Sequence, residues 1–160
     1  MDLRARRRQS WNMDGKPFSG AKVALTCGDR LVVYRRDDKP TIPWPGLWDL
    51  PGGGREGAEA PEACVLREVE EEFGLVLRAA RITWRRSYPS LTEPGQLAWF
   101  FAAPITEAEV AAISFGEEGQ YWTMMSCADF LVLPDALPQL QDRLRDYLKT
   151  RGEAEAAPSP

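Results

Sequence analysis

Hydrophobic positions along this chain come in two rhythms. Residues 21–26 (AKVALT) and 30–36 (RLVVYRR) are apolar, β-branched runs separated by Cys27-Gly28-Asp29, which predicts a hairpin. Residues 37–46 hold three prolines and no periodicity, as expected of a surface loop. Residues 47–50 form a short strand running into a glycine turn, Gly52-Gly53-Gly54. The spacing then changes to threes and fours: Ala63, Leu66, Val69 and Phe73 make the buried stripe of a helix. Pro61 suits its first turn and Gly74 the position just past its end. Residues 75–88 predict a strand or strand pair interrupted near residue 79, and residues 97–103 (LAWFFAA) a central strand. Thr106 and Glu109 form a capping box for a short helix over 106–113. A strand over 120–125, a helical turn over 126–130 and a last helix over 134–149 follow, the last with Leu137, Leu140, Leu144 and Leu148 on its apolar face. Strands outnumber helices, so the fold class is α/β (α+β), a mixed sheet sandwiched by helices.

Composition narrows the chemistry. The 160 residues suit one domain, and a net charge of −4 argues against a stable nucleic-acid complex. There is no histidine. That removes Ser-His and Cys-His nucleophilic schemes and histidine metal sites. Cys27, Cys64 and Cys127 match no zinc or disulfide spacing and read as free thiols in a reducing, cytoplasmic setting. No apolar run approaches the ~18 residues that cross a bilayer, so no membrane partner is expected. Residues 1–19, with Arg4, Arg6, Arg7 and Arg8, read as a basic flexible arm, residues 20–150 as the folded domain and 151–160 as a disordered tail. A monomer and a homodimer are both open.

The chemistry concentrates in the predicted helix. Glu68 and Glu72 are four apart and share a face, with Glu71 on its flank. Arg67 is four from Glu71 and is expected to hold that carboxylate. Clustered carboxylates raise one another's pKa and imply a cation. Mg²⁺ takes a few carboxylates plus substrate phosphate, and Mn²⁺ is a substitute.

The stretch from Gly53 to Leu75 has five residues before Glu59, seven before Arg67-Glu68-Val69, then Glu71-Glu72 and Gly74-Leu75. Every fixed position of the Nudix signature is filled, and the chain resembles a Nudix hydrolase. The resemblance implies an α/β/α sandwich that cuts a pyrophosphate bond in a nucleoside diphosphate linked to a further group. It implies Glu68, Glu71, Glu72 and the Gly52 carbonyl as metal ligands, and Glu59 and Arg67 as organisers. Residues 115–120 (FGEEGQ) are similar to the distal metal-binding loop of mutator-type nucleoside triphosphate pyrophosphohydrolases, with Glu118 at the matching position. Trp48-Asp49-Leu50-Pro51-Gly52-Gly53 resembles the entry of the same group. Arg35, Arg36, Gly53, Arg55 and Trp48 are the expected substrate contacts, and Trp44, Trp122 and Phe100 further stacking candidates. A nucleoside triphosphate, oxidised or not, is the leading small-molecule substrate. ADP-ribose or another nucleotide sugar is the rival, on Pro89, and a non-catalytic regulatory nucleotide-binding domain is the alternative of another class.

Overall fold

Period-two alternation gives the central strands two buried faces. In β1 (Phe18–Cys27), Val23 and Leu25 face one core and Ala24 the other. In β2 (Arg30–Arg35), Val32 faces the first core and Leu31 and Val33 the second. A sheet buried on both faces needs a layer on each side. In this computed structural model, which describes residues 17–156, those layers are present. The arginines at positions 4, 6, 7 and 8 and the last four residues lie outside the described residues, as do the side chains of 153–156.

The remaining strands are β3 (Trp48–Asp49), β4 (Gly52–Gly54), β5 (Trp84–Pro89), β6 (Leu97–Pro104) and β7 (Tyr121–Ser126). One face of the sheet is covered by α1 (Pro61–Phe73), through Cys64, Val65, Val69 and Phe73, with α2 (Glu107–Ala111) beside it. The other is covered by α3 (Cys127–Val132) and α4 (Pro138–Ala156), through Phe130, Leu140, Leu144 and Tyr147. This is the expected α/β/α sandwich. Strand β6, with Phe100 and Phe101 fully buried, runs parallel to β1 and antiparallel to β5. Burying one such ring contributes about 1.5–3 kcal/mol.

A split in the sheet positions the site. One edge of β1 is filled by β6. Its other edge pairs with β2 only at Thr26 and Cys27, and with β4 from Gly20 to Lys22. β2 in turn pairs with β3 at Tyr34 and Arg35 and with β7 along its length. The glycine segment is therefore a short strand and not only a turn. Gly52 has φ +130°, and a Cβ there would stand 2.1 Å from the Ala21 carbonyl oxygen. Gly52→Ala is expected to lower stability by at least about 1–3 kcal/mol, read by denaturant unfolding.

Three details differ from the sequence expectation. In α1, Ala63 is exposed and Leu66 half-buried, while Cys64 and Val65 are fully buried. The helix packs against both β1 and β4, so its buried arc is turned and also takes in Glu62 and Glu72. After α1 the chain runs extended, makes a 3₁₀ turn at Ala79–Arg81 and starts its strand only at Trp84. Helix α4 continues to Ala156, through residues assigned to the tail. The hairpin, the proline loop, the Gly74 end of α1 (φ +67°) and the Thr106–Glu109 capping box are as expected. The three cysteines are free, and among the described residues no helix is long and apolar enough to cross a membrane.

Candidate functional site

Glu68 and Glu72 lie on the α1 face turned toward β4. Glu72 is buried, and its Oε2 accepts from the Gly52 backbone N–H at 3.5 Å. Burial pushes its carboxyl up to about 8; the Glu68 charge adds to the rise, while Lys22 and the Gly52 N–H oppose it. Glu68 rests against the bare Cα of Gly53, where a Cβ would stand 2.6 Å from its carboxyl carbon. The absence of a side chain at Gly53 is thus what lets that carboxylate reach the strand. Together with Tyr34, Arg36, Arg55, Glu56 and Glu118 these groups line a polar cleft of about 490 Å³.

Glu118 arrives from the loop before β7. That loop is docked on the end of α1: Ser114 N–H donates to the Phe73 carbonyl at 3.0 Å and Gly116 N–H to the Glu72 carbonyl at 2.8 Å. Orphan carbonyls at a helix end are satisfied this way, and the same contacts carry Glu118 to the cleft rim. Its carboxylate is exposed and has no hydrogen bond or ion pair among the described residues.

Arg67 ties the acidic face together. Its Nε and Nη2 grip both oxygens of Glu59 at 3.1 and 2.8 Å. Its Nη1 donates to Glu68 at 3.1 Å and Glu71 at 3.2 Å, and Nη2 also to the Gly54 carbonyl at 3.0 Å. The guanidinium holds Glu59 down at about 2. Bidentate pairs of this kind are the strong ones. Glu71 is paired as expected with Arg67, but it is half exposed and does not line the cleft.

The expected substrate residues divide. Gly53, Arg55 and Arg36 line the cleft. Arg55 also lays its guanidinium over Phe18 at 4.4 Å. Arg35 points elsewhere, pairing with Asp135 at 3.0 Å and lying over Trp48 at 5.4 Å. Trp48 packs edge-on against Tyr121 and does not line the cleft; Phe100 is core. Trp44 lines a second pocket, beyond β4.

Sequence reasoning named Asp49 only as part of the Trp48–Gly53 entry, without a role, and passed over Lys22. Asp49 is fully buried; its Oδ2 accepts from Lys22 Nζ at 3.0 Å, Tyr34 OH at 2.9 Å and Arg36 Nη1 at 2.8 Å, and its Oδ1 from Leu50 N–H at 2.7 Å. Lys22 Nζ also donates to the Leu50 and Gly52 carbonyls at 3.2 and 3.1 Å. One carboxylate thus closes the split in the sheet and aims two cations at the cleft. The available signal was an acid one residue before buried Leu50.

Among the described residues, no group of three acidic or thiol side chains already forms a metal-ligating cluster. The donors around the cleft nevertheless suit a hard divalent ion. They are carboxylate and carbonyl oxygens, and Glu72 is a buried acid with a second acid beside it.

A family model described as "NUDIX domain" matches residues 17–148. An RNA pyrophosphohydrolase of Gluconacetobacter diazotrophicus is 41% identical over 61 residues, 34% of this chain and 36% of that protein. A MutT-like protein of Streptomyces ambofaciens is 40% identical over 65 residues, 41% of this chain and 38% of its own. The matches thus span little more than a third of these relatives. Among solved structures, a MutT protein from Methanosarcina mazei Go1 superposes with TM-score 0.68 at 22% identity, covering 85% of this chain and 96% of that one. A C. elegans Ap4A hydrolase superposes with TM-score 0.65 at 15% identity, covering 84% and 98%. At these identities the structures show the shared fold.

Proposed function

Since this chain belongs to the Nudix family, we propose that it is a divalent-metal-dependent pyrophosphohydrolase, cleaving a nucleoside triphosphate to the monophosphate and pyrophosphate. The observation that carries this reading is the buried Glu72 facing Glu68 in an oxygen-lined cleft, with Lys22, Arg36 and Arg55 on its other walls. Glu68, Glu72, Glu118 and the Gly52 carbonyl would hold the ion, and Glu71 completes the acidic face that Arg67 organises. Bound there, Mg²⁺ or Mn²⁺ would neutralise phosphate oxygens and acidify water. The protein's own part is positioning. Arg36 and Arg55 present donors to the phosphate chain, and the Arg36 fork is fixed by Asp49. With one Glu118 oxygen toward the ion, the other would take the proton of the attacking water. The water oxygen bonds to phosphorus, the P–O bond to the bridging oxygen breaks, and that oxygen leaves with the departing fragment, taking up a proton.

A second reading has one finding behind it. Three of the relatives are named RNA pyrophosphohydrolase, which favours a triphosphate at the 5′ end of an RNA. The test is a panel of nucleoside triphosphates, ADP-ribose and a 5′-triphosphorylated oligonucleotide, each with Mg²⁺, Mn²⁺ or EDTA, with products separated by ion exchange. Pyrophosphate and monophosphate from a free triphosphate, lost in EDTA, are expected. Turnover confined to the oligonucleotide selects the second reading. Turnover of ADP-ribose alone, or of nothing, rejects both.

A further inference from the structure

Beyond β4 lies a pocket of about 240 Å³ that shares Lys22, Arg36, Gly53 and Gly54 with the acidic cleft as a common wall. It is smaller than the ~300–1,000 Å³ of sites that enclose a whole drug-sized ligand, and suits one base. A nucleotide with its phosphates in the cleft would cross β4 and place its base here.

One buried cation stands out in the wall of this pocket. Arg143, from α4, lines it and is buried at 8% exposure. Its guanidinium lies over the Tyr88 ring at 4.8 Å. No carboxylate or carbonyl of the described residues hydrogen-bonds it. Burial lowers its pKa, opposed by the neighbouring Tyr88 and Asp142. The one carboxylate in the wall, Asp49, is already filled by four donors. The wall therefore carries one buried guanidinium and no free acid to accept from it.

Trp44 closes another side. It is the only non-glycine residue of the described chain with positive φ, at +50°. A bulky residue held in that conformation is strained, and such strain persists where the surroundings impose it, often at ligand sites. That backbone sets Trp44 in the pocket wall.

We infer that this pocket selects guanine, with the Arg143 fork donating to O6 and N7 and Trp44 stacking on the ring. The inference rests on nucleotide hydrolysis at the adjoining cleft. Guanine presents two acceptors on that edge, whereas adenine presents N7 beside an N6 donor, which would meet the guanidinium donor to donor. The same argument runs against an oxidised purine. 8-Oxoguanine carries a hydrogen on N7, so the unmodified base is the better partner.

Calorimetric titration of the full chain with monophosphates tests this without a metal and without turnover. GMP and IMP, which share O6 and N7, are expected to bind alike. AMP, 7-deaza-GMP and 8-oxo-GMP should each bind about 10-fold or more weakly. Arg143→Gln should erase the preference for GMP over AMP, and Trp44→Ala should weaken GMP and AMP together by about 5-fold or more. The comparison of bases on the wild-type chain stands even if Arg143→Gln unfolds. Equal binding of GMP and AMP overturns the inference, as does tighter binding of 8-oxo-GMP. A guanine preference surviving in folded Arg143→Gln removes Arg143 from it. Hydrolysis of all triphosphates with no base preference would strike this inference alone. Intact GMP selectivity with no hydrolysis would strike the proposed function instead.

Discussion

Glu72→Gln is expected to lower kcat by about 10²–10³-fold or more while making the metal-free protein more stable. The two effects have one cause. Glu72 is buried beside Glu68, and its folded-state pKa is raised to about 8, against an ordinary value of about 4.3. The fold thus favours the protonated acid. The stability this preference contributes is fully present below the unfolded pKa and is lost as pH rises through about 8. The metal-free wild type should therefore lose stability, and melt lower, between pH 5 and 9, by on the order of 4 kcal/mol. Glutamine keeps the shape and removes the titration, so the variant should show a flatter profile and melt higher at pH 8. Added Mg²⁺ should stabilise the wild type by mass action and do little for the variant. Near-normal turnover in Glu72→Gln would remove this residue from the site. An unchanged pH profile would assign the titration to another group.

The ends of α1 were legible because they rest on single residues, Pro61 at the start and Gly74 in a left-handed conformation at the finish. The pairing of Glu68 with Glu72, and of Arg67 with Glu71, follows from helical spacing alone. The buried arc of α1 did not follow. It depends on β4, whose approach brings Cys64 and Val65 inward and leaves Ala63 outside. Arg35 and Arg36 illustrate a further limit. Adjacent residues on an extended chain point to opposite faces, so at most one of this pair could enter the cleft. Alternation predicted the division but not the winner, which Asp49 decides by capturing Arg36. Glu118 was legible as chemistry on a glycine loop, and its position depends on backbone contacts with the last turn of α1. Asp49 and Lys22 were illegible because their partners come from three separate strands, and no local pattern encodes that convergence. The second pocket was hidden for the same reason: Trp44 and Arg143 are brought together from a loop and a helix.

Asp49→Ala is the substitution expected to cost most in stability, about 3–5 kcal/mol. Asp49 carries no exposed surface, and three donors converge on its Oδ2, two of them the cationic groups of Lys22 and Arg36. Removing the acid leaves those charges facing one another in the split between β1 and β2, along with an unsatisfied Leu50 N–H and Tyr34 hydroxyl. At about 2–4 °C per kcal/mol for a chain of this size, the melting temperature should drop by roughly 6–20 °C. Asp49→Asn tests the role of charge separately from shape. It preserves an acceptor for Leu50, but its amide NH₂ opposes donors and its neutrality leaves Lys22 and Arg36 uncompensated. It should fall between wild type and alanine. Adding Lys22→Met to Asp49→Ala should recover part of the loss, because it removes one stranded charge; residues sharing a network are expected to be non-additive by about 0.5–3 kcal/mol. Denaturant unfolding of wild type, Asp49→Ala, Lys22→Met and the double variant closes the cycle. If Asp49→Ala unfolds within about 1 kcal/mol of wild type, or the double variant is simply the sum of its parts, then Asp49 does not hold the two cations. The fixed position of Arg36 beside the acidic cleft would then need another source.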